Sequence, residues 1–194
     1  MGIVLYFVMS YLVGGILFAL LISRLFYDGQ ILRKGSGNPG SRNMGRVYGQ
    51  LAFIGTFLGD AGKGALIVAI GKWFIYPDEV IVIALGITML GHIFPFYHLK
   101  RGGEAVATFL GGIAWFDWRL LLLFVSIALL GLLMRQSATI SGFIGFMSIV
   151  FGSFYLQGGS VGLIIGILFI MLVLVYRWHP AEPVGETEDS TNCT

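Results

Sequence analysis

A polar, glycine-rich stretch at positions 35–43 has the residue types and spacing best suited to chemistry in this chain. It has the sequence Gly-Ser-Gly-Asn-Pro-Gly-Ser-Arg-Asn and lies between two long apolar segments. Glycines allow backbone N–H groups to approach a ligand closely, and the guanidinium groups of Arg42 and Arg46 suit phosphate oxygens. Four side chains add neutral hydrogen-bonding groups: Ser36, Asn38, Ser41 and Asn43. The stretch predicts a site for a phosphate-bearing molecule, and the alternative is a flexible loop whose arginines only fix membrane topology.

Two ionisable residues, Asp60 and Lys63, lie within the second apolar segment in the sequence Gly-Asp-Ala-Gly-Lys-Gly. A charged residue inside a membrane segment costs about 2.5–3.5 kcal/mol on insertion scales, so such residues usually pair or serve a site. Residues three apart share one helical face, so these two side chains can pair with each other. The pattern indicates either a structural ion pair or a lysine that faces a phosphate pocket.

A second polar stretch follows the third apolar segment and contains His92, Gly102, Gly103, Glu104 and Thr108. The glycine pair would present N–H groups and the positive end of a helix dipole to an anion. Glu104 would satisfy free backbone N–H groups at the same helix start, but it would also repel a phosphate there. His92 is either a hydrogen-bonded packing residue or a base.

Several familiar catalytic patterns are absent from the sequence. No histidine is followed five residues later by an aspartate, and there is no Gly-x-Ser-x-Gly elbow or Walker A loop. Histidines, cysteines and carboxylates do not cluster with metal-ligand spacing. We therefore expect no metal, no cofactor and no nucleic-acid partner.

The composition is that of an integral membrane protein. Of 194 residues, 57% are hydrophobic and 11% are charged, and the mean hydropathy is +0.88, whereas soluble domains are about 25% charged. The fourth apolar segment is shorter than the roughly 20 residues of a straight crossing, so six crossings with a re-entrant hairpin over Val106–Leu133 are the alternative to seven. The sequence favours an all-α bundle of seven transmembrane helices: Ile3–Leu25, Gly49–Phe74, Val80–Phe96, Val106–Phe116, Leu120–Met134, Thr139–Leu156 and Val161–Tyr176.

The distribution of basic residues predicts the orientation. With seven crossings, the side of the membrane opposite the two polar loops receives only Lys72 and Arg119. The positive-inside rule therefore places both polar loops and the C-terminus in the cytoplasm and the N-terminus outside. Apart from Lys63 within the second segment, the predicted cytoplasmic side holds the other basic residues: Arg24, Arg33, Lys34, Arg42, Arg46, Lys100, Arg101, Arg135 and Arg177.

The end of the chain has a different composition. After position 177 the sequence becomes acidic and contains two prolines but few large apolar residues, which is typical of a disordered segment. We divide the chain into a membrane-embedded domain (1–177) and an acidic disordered tail (178–194). The one cysteine, Cys193, excludes an intrachain disulfide.

Taken together, these motifs resemble those of the bacterial acyl-phosphate:glycerol-3-phosphate acyltransferases, the PlsY family. The resemblance covers about positions 1–176. Four family patterns are matched here, apart from the departures below: Ser-Gly-Asn-x-Gly-x-x-Asn with a following arginine, Asp-x-x-Lys-Gly, Gly-His-x-x-Pro, and Gly-Gly-Lys-Gly-Val-Ala-Thr. The matching residues are, in chain order, Ser36, Gly37, Asn38, Gly40, Asn43, Arg46, Asp60, Lys63, Gly64, Gly91, His92, Pro95, Gly102, Gly103, Val106, Ala107 and Thr108.

The resemblance implies transfer of an acyl group from acyl phosphate to the sn-1 hydroxyl of glycerol 3-phosphate, which gives lysophosphatidic acid in a bacterial cell membrane. Because acyl phosphate is an activated donor, no covalent nucleophile is required, and His92 or the substrate's own phosphate would accept the hydroxyl proton; we favour the phosphate. The candidate catalytic residues are Ser36, Arg46 and His92. The candidate substrate- and phosphate-binding residues are Gly37, Asn38, Gly40, Asn43, Lys63, Gly102, Gly103 and Thr108.

The sequence departs from the family pattern in two places. Glu104 replaces a lysine, Ala105 replaces a glycine, and the C-terminal His-Arg-x-Asn-Ile-x-Arg motif is missing, with His179 one place late. These departures leave two further hypotheses open. One is a catalytically impaired paralogue that binds phospholipid precursors, and the other is a small transporter of organic anions with polar loops at broken helices.

Overall fold

The computed structural model describes residues 2–97 and 102–178, with side chains throughout except at 138 and 176–178. This part of the chain is all-helical, as expected, and contains no strand. A short 3-10 turn, Ile31–Arg33, precedes α3. The α-helices are α1 (Ile3–Gly14), α2 (Phe18–Phe26), α3 (Ser41–Tyr48), α4 (Gln50–Trp73), α5 (Asp78–Ile93), α6 (Val106–Phe116), α7 (Trp118–Leu133), α8 (Ala138–Gln157) and α9 (Gly159–Trp178).

The first apolar segment, expected as one helix over Ile3–Leu25, is broken. Helices α1 and α2 differ in direction by 42°, and the pair Gly14-Gly15 lies where α1 ends and the break begins. A β-carbon on Gly14 would lie 2.1 Å from the carbonyl oxygen of Thr88, so glycine is needed for α5 to pack this closely against the end of α1. Glycine pairs are a common site of kinks because they weaken the helix locally.

Length and apolar composition qualify α4 and residues 139–157 of α8 as candidate membrane spans, and the bent pair α1–α2 is a third if it is counted as one span. Their outward faces carry many exposed large apolar side chains, among them Leu51, Leu58 and Phe151. In water such surfaces would be unusual, whereas lipid makes them favourable. The buried core lies mainly between α5, α6, α8 and α9, with Leu85, Met89, Ile113, Ile149 and Ile165 at its centre.

Helix α6 is short, and it packs tightly along α4. Its 11 residues extend about 16 Å, roughly half of the 30 Å hydrocarbon core of a bilayer. A β-carbon on Gly64 would lie 2.0 Å from Thr108 O, and one on Gly111 would lie 2.0 Å from Ala61 O. Small residues thus bring the two backbones together, and the start of α6 with the polar loop before it is held beside the middle of α4.

The opposite end of α6 is fixed by charged and polar side chains. Lys72 at the end of α4 donates a hydrogen bond to the Phe116 carbonyl. Asp117 caps α7, because its carboxylate accepts the Arg119 backbone N–H at 2.9 Å, and Gln157 at the end of α8 donates to the same carboxylate at 2.5 Å. The Arg119 guanidinium holds the pKa of Asp117 below its usual range. This end of the bundle therefore joins the ends of α4, α6 and α8 to the start of α7.

The predicted boundary of the acidic tail lies close to the end of the described residues. Helix α9 continues to Trp178, one residue beyond the predicted domain limit at 177. Residues 179–194, with His179 and Cys193, lie outside the described part of the chain, as do Lys100 and Arg101.

Candidate active site

Three ionisable side chains form a buried cluster where α4 meets the end of α5. Nζ of Lys63 lies 3.1 Å from Oδ1 of Asp60 and 2.5 Å from Nδ1 of His92. The exposed fractions are 4%, 2% and 2% for Lys63, Asp60 and His92, respectively. The lysine–aspartate contact is an ion pair without hydrogen-bond geometry, because Oδ1 of Asp60 has no hydrogen-bond partner in the described structure. Sequence analysis anticipated the pair, and the structure adds the histidine.

Lys63 also joins α4 to the break between α1 and α2. It donates to Gly14 O at 3.0 Å and to Ile16 O at 2.8 Å, two carbonyls freed by the break. Tyr97 takes the carbonyl between them, because its hydroxyl donates to Gly15 O at 2.8 Å. An ammonium group has three N–H donors, and two carbonyls with one imidazole nitrogen use all of them. In this arrangement Lys63 has no donor left for a phosphate.

A charged Lys63 can only donate in this contact, which then requires one tautomer of His92. If Lys63 donates to Nδ1, then Nδ1 is the acceptor nitrogen and the ring proton is on Nε2. A neutral histidine in this form offers a donor at Nε2 and no free basic nitrogen. His92 is thus suited to donate a hydrogen bond to a developing negative charge, and it is poorly suited to accept a proton there.

The glycine pair of the second loop packs directly on this histidine. A β-carbon on Gly103 would lie 2.2 Å from Nε2 of His92, and one on Gly102 would lie 1.9 Å from Ile93 O. The Gly103 N–H donates to His92 O at 3.1 Å. Gly103 is therefore required for close approach, and its own N–H is already used. Contact between phosphate and this N–H stays a prediction that would require the bond to open.

The first loop is shaped by Asn43. Its Oδ1 accepts the Ser36 N–H at 2.9 Å, and its Nδ2 donates to Lys34 O at 3.0 Å. Gly35 and Gly37 have positive φ angles of 60° and 69°, which glycine adopts readily. The buried Asn43 amide thus holds the turn from inside, which makes Asn43 a loop-positioning residue in this structure.

A second anchor holds the start of the same loop. Asp28 pairs with Lys34 and accepts a hydrogen bond from the Tyr48 hydroxyl. These two groups hold the pKa of Asp28 below its usual range, with the Lys34 contact as the larger cause. Lys34 is therefore neutralised locally, whereas the nearby cations Arg33, Arg42 and Arg46 are exposed.

One hydrogen bond joins the two polar loops. Nδ2 of Asn38 donates to Oε1 of Glu104 at 2.9 Å. The expectation that Glu104 satisfies N–H groups at the start of α6 is wrong, because the N-cap residue is Ala105 and no side chain caps the helix. Ala105 has a left-handed conformation, with φ 59° and ψ 8°, which directs the preceding carboxylate to the first loop.

The other candidate residues lie around this junction. Ser36, Gly37 and Gly40 are half-buried in the first loop, and Thr108 is fully buried on α6. The Thr108 hydroxyl has no hydrogen-bond partner in the described structure. Arg46 lies on the exposed face of α3 and does not contact the buried cluster. Asn38 thus links the first loop to the second, and Gly103 links the second loop to the buried cluster. The phosphate contacts expected of Ser36 and Arg46 stay predictions.

An apolar cleft leads from the cluster to the outside of the bundle. It has a volume of about 280 Å³ and lies between the break of α1–α2 and α4, near the lower end of the roughly 300–1,000 Å³ range of ligand pockets. Lys63 lies at the polar end of the cleft. Gly62 leaves open space in the cleft wall, because a β-carbon on Gly62 would meet nothing within 4 Å. Its other lining residues are Val13, Ile16, Phe18, Leu58, Gly59 and Leu66.

Comparison with known proteins decides the family. The family model described as glycerol-3-phosphate acyltransferase matches residues 4–182. This chain belongs to the glycerol-3-phosphate acyltransferase family. A glycerol-3-phosphate acyltransferase 1 of Bacillus cereus (strain ATCC 10987 / NRS 248) is 39% identical over 170 residues, which cover 88% of this chain and 93% of that protein. One of Lactobacillus johnsonii is 32% identical and covers 88% and 83%, respectively.

Solved structures of the glycerol-3-phosphate acyltransferase family share the fold. A crystal structure of PlsY (YgiH), an integral membrane glycerol 3-phosphate acyltransferase, in the glycerol 3-phosphate form has a TM-score of 0.81 over 91% of this chain and 88% of that one, at 22% identity. The lysophosphatidic acid form gives a TM-score of 0.80. The family assignment and this fold confirm an integral membrane protein of phospholipid synthesis.

Sequence reasoning missed three features that assemble this candidate site. The pair Gly14-Gly15 within an otherwise apolar segment was a usable signal for a broken helix. Tyr97 had no such signal, because its partner is a backbone carbonyl that becomes available only once the helix is broken. The pairing of Asn38 with Glu104 joins positions 66 residues apart, and no local pattern indicates it.

Proposed function

We propose that this chain transfers an acyl group from an acyl phosphate to the sn-1 hydroxyl of glycerol 3-phosphate, forming lysophosphatidic acid and inorganic phosphate. The observation that carries the proposal is the junction of two polar loops beside the buried cluster of Asp60, Lys63 and His92, from which an apolar cleft leads outward. Phosphate groups suit the polar junction, and an acyl chain suits the cleft. Family membership supports glycerol 3-phosphate as the acceptor.

The chemistry requires positioning rather than a covalent enzyme intermediate. The hydroxyl oxygen attacks the acyl carbon, the bond from that carbon to the phosphate oxygen breaks, and the leaving phosphate takes the hydroxyl proton. Held in line, the two substrates gain from proximity, and donors directed at the developing oxyanion lower the barrier further. The Nε2–H of His92 would be such a donor once substrate displaces Gly103 from it, and the tautomer with Nδ1 as the acceptor supports phosphate as the proton acceptor. Ser36 and Arg46 would hold the phosphates.

The proposal includes seven crossings in a bacterial cell membrane, with the N-terminus outside. The contacts of Lys72 with Phe116 and of Gln157 with Asp117 support α6 as a crossing segment, since they place its end with the ends of α4 and α8. Its short length is then explained by the second polar loop, which reaches into the membrane. The bias of basic residues towards the loop side supports the orientation.

Turnover by the purified full-length protein in detergent micelles tests the function. Palmitoyl phosphate and glycerol 3-phosphate should give lysophosphatidic acid and inorganic phosphate in equal amounts, and Ser36→Ala should lower the rate at least about tenfold. The matched control is Ser148→Ala on α8, where the hydroxyl donates to Gly145 O of its own helix. Binding without turnover would indicate an impaired paralogue, and uptake of glycerol 3-phosphate into liposomes without acyl transfer would indicate a transporter. Either result overturns the proposal.

A further inference from the structure

The bond between Asn38 and Glu104 determines which way the Asn38 amide faces. A carboxylate has only acceptors, so the amide must present its NH₂ group to it. Nδ2 of Asn38 does so, at 2.9 Å from Oε1 of Glu104. Oδ1 must then face the other way. Glu104 thus fixes an orientation that an isolated asparagine amide would be free to reverse.

The Asn38 oxygen that results is buried and unused. Oδ1 has no hydrogen-bond partner among the described residues, and a buried acceptor without a donor costs free energy comparable with a lost hydrogen bond. A phosphate group cannot satisfy it, because an ionised phosphate offers only acceptors. A hydroxyl group can, since it carries one O–H donor.

We propose that Glu104 is a positioning residue that turns the Asn38 amide so that its Oδ1 accepts a hydrogen bond from the secondary hydroxyl of the glycerol moiety. This inference rests on the proposed function, and it changes the role of Asn38 from a phosphate ligand to the residue that recognises the polyol. The junction lies beside Gly103, which covers Nε2 of His92. An acceptor held there would leave the primary hydroxyl free to meet the acyl carbon.

A pair of acceptor molecules tests the assignment through binding, which does not depend on turnover. The probes are glycerol 3-phosphate and 3-hydroxypropyl phosphate, which lacks only the secondary hydroxyl. The native protein should bind the first at least about tenfold more tightly, the scale of one hydrogen bond. With Glu104→Lys the ammonium group donates to Oδ1, the amide reverses, and the ratio of dissociation constants should fall close to one.

Two more variants separate orientation from general damage. Glu104→Gln retains an amide oxygen that can accept from Asn38 Nδ2, so it should keep most of the preference, whereas Asn38→Ala should abolish it. Glu79→Gln is the matched control, because Glu79 accepts from Ser160 at 2.7 Å at the other end of the bundle. A merely structural role would weaken both probes equally, so an unchanged ratio in folded Glu104→Lys and Asn38→Ala proteins would overturn the inference.

The acyl transfer assay keeps the two proposals distinguishable. If glycerol 3-phosphate binds with the expected preference but no lysophosphatidic acid forms, the proposed function fails and the role of Asn38 stands. If transfer occurs but the native protein does not distinguish the two probes in binding, the function stands and the inference fails. In the variants, the KM for glycerol 3-phosphate should rise more than kcat falls.

Discussion

The two parts of the bundle bury polar groups in different ways. In α1–α6, the charged residues Asp60 and Lys63 are buried beside a broken helix, and Lys63 binds carbonyls that the break has freed. In α7–α9, the buried polar groups of the described residues are serines, and Ser153 bonds to Val150 O within its own helix. In a continuous helix the backbone carbonyls are already hydrogen-bonded within the helix. The comparison indicates that this protein tolerates a buried cation where a helix break leaves carbonyls free to accept its hydrogen bonds.

The largest expected effect comes from removing that cation. Lys63→Met leaves two carbonyls and Nδ1 of His92 without a donor and leaves Asp60 as an uncompensated buried charge. Removing one partner of a buried pair typically costs about 3–5 kcal/mol, so the variant should unfold at a markedly lower temperature in detergent and lose acyl transfer. Asp60→Asn in the same variant should recover part of the stability. If Lys63→Met melts like the native protein and loses only substrate affinity, the phosphate-pocket hypothesis for Lys63 is correct.

The next effect compares the same substitution at a close helix contact in α1–α6 and at an open position in α7–α9. Gly64→Ala places a β-carbon 2.0 Å from Thr108 O, whereas Gly142→Ala on α8 places one where nothing lies within 4 Å. Overpacking costs typically about 1–3 kcal/mol, while alanine is favoured over glycine by roughly 1 kcal/mol in an unobstructed helix. Thermal unfolding should therefore show Gly64→Ala destabilised and Gly142→Ala unchanged or stabilised. Equal behaviour would contradict the tight contact of α4 with α6.

A third change tests the cleft. Gly62→Leu would fill the space that the absent side chain leaves open, so acyl transfer from a long-chain acyl phosphate should fall about tenfold, the order of 1.4 kcal/mol. Transfer from a short-chain acyl phosphate should change much less, because a short chain does not need the whole cleft. Gly142→Leu, on a face far from this cleft, is the matched control. An equal loss with both chain lengths would indicate that the acyl chain lies elsewhere.

Sequence patterns predicted the parts of this molecule that depend on local composition. Apolar runs located most of the helices, and the spacing of Asp60 and Lys63 indicated an ion pair as one of two interpretations, because both follow from helical periodicity. The break at Gly14 and the role of Tyr97 were not predicted, since each depends on how close another helix approaches. The contact of Asn38 with Glu104 was missed for the same reason. Glu104 was interpreted as a helix cap, whereas the left-handed backbone at Ala105 turns the Glu104 carboxylate away from α6.

The smallest effect concerns that left-handed residue. A left-handed conformation costs a residue other than glycine about 1–2 kcal/mol. Two described residues have nearly the same left-handed φ angle: Ala105, with φ 59°, and Ile75 at the other end of the bundle, with φ 55°. Ala105 is 2% exposed and Ile75 is 89% exposed, so Ala105→Gly also loses a buried methyl group worth about 0.8 kcal/mol.

We therefore expect Ile75→Gly to raise the free energy of unfolding by about 1 kcal/mol, because relief of backbone strain outweighs the greater freedom of glycine in the unfolded chain. Ala105→Gly should raise it by less, because the lost burial of the methyl group offsets more of the gain. Unfolding in a mixed-micelle denaturant titration measures both changes. If Ala105→Gly is strongly destabilising, the methyl group contributes more to the junction than the backbone strain costs. In that case the alanine stabilises the loop that presents Glu104, and the departure from the family glycine is an adaptation of this site.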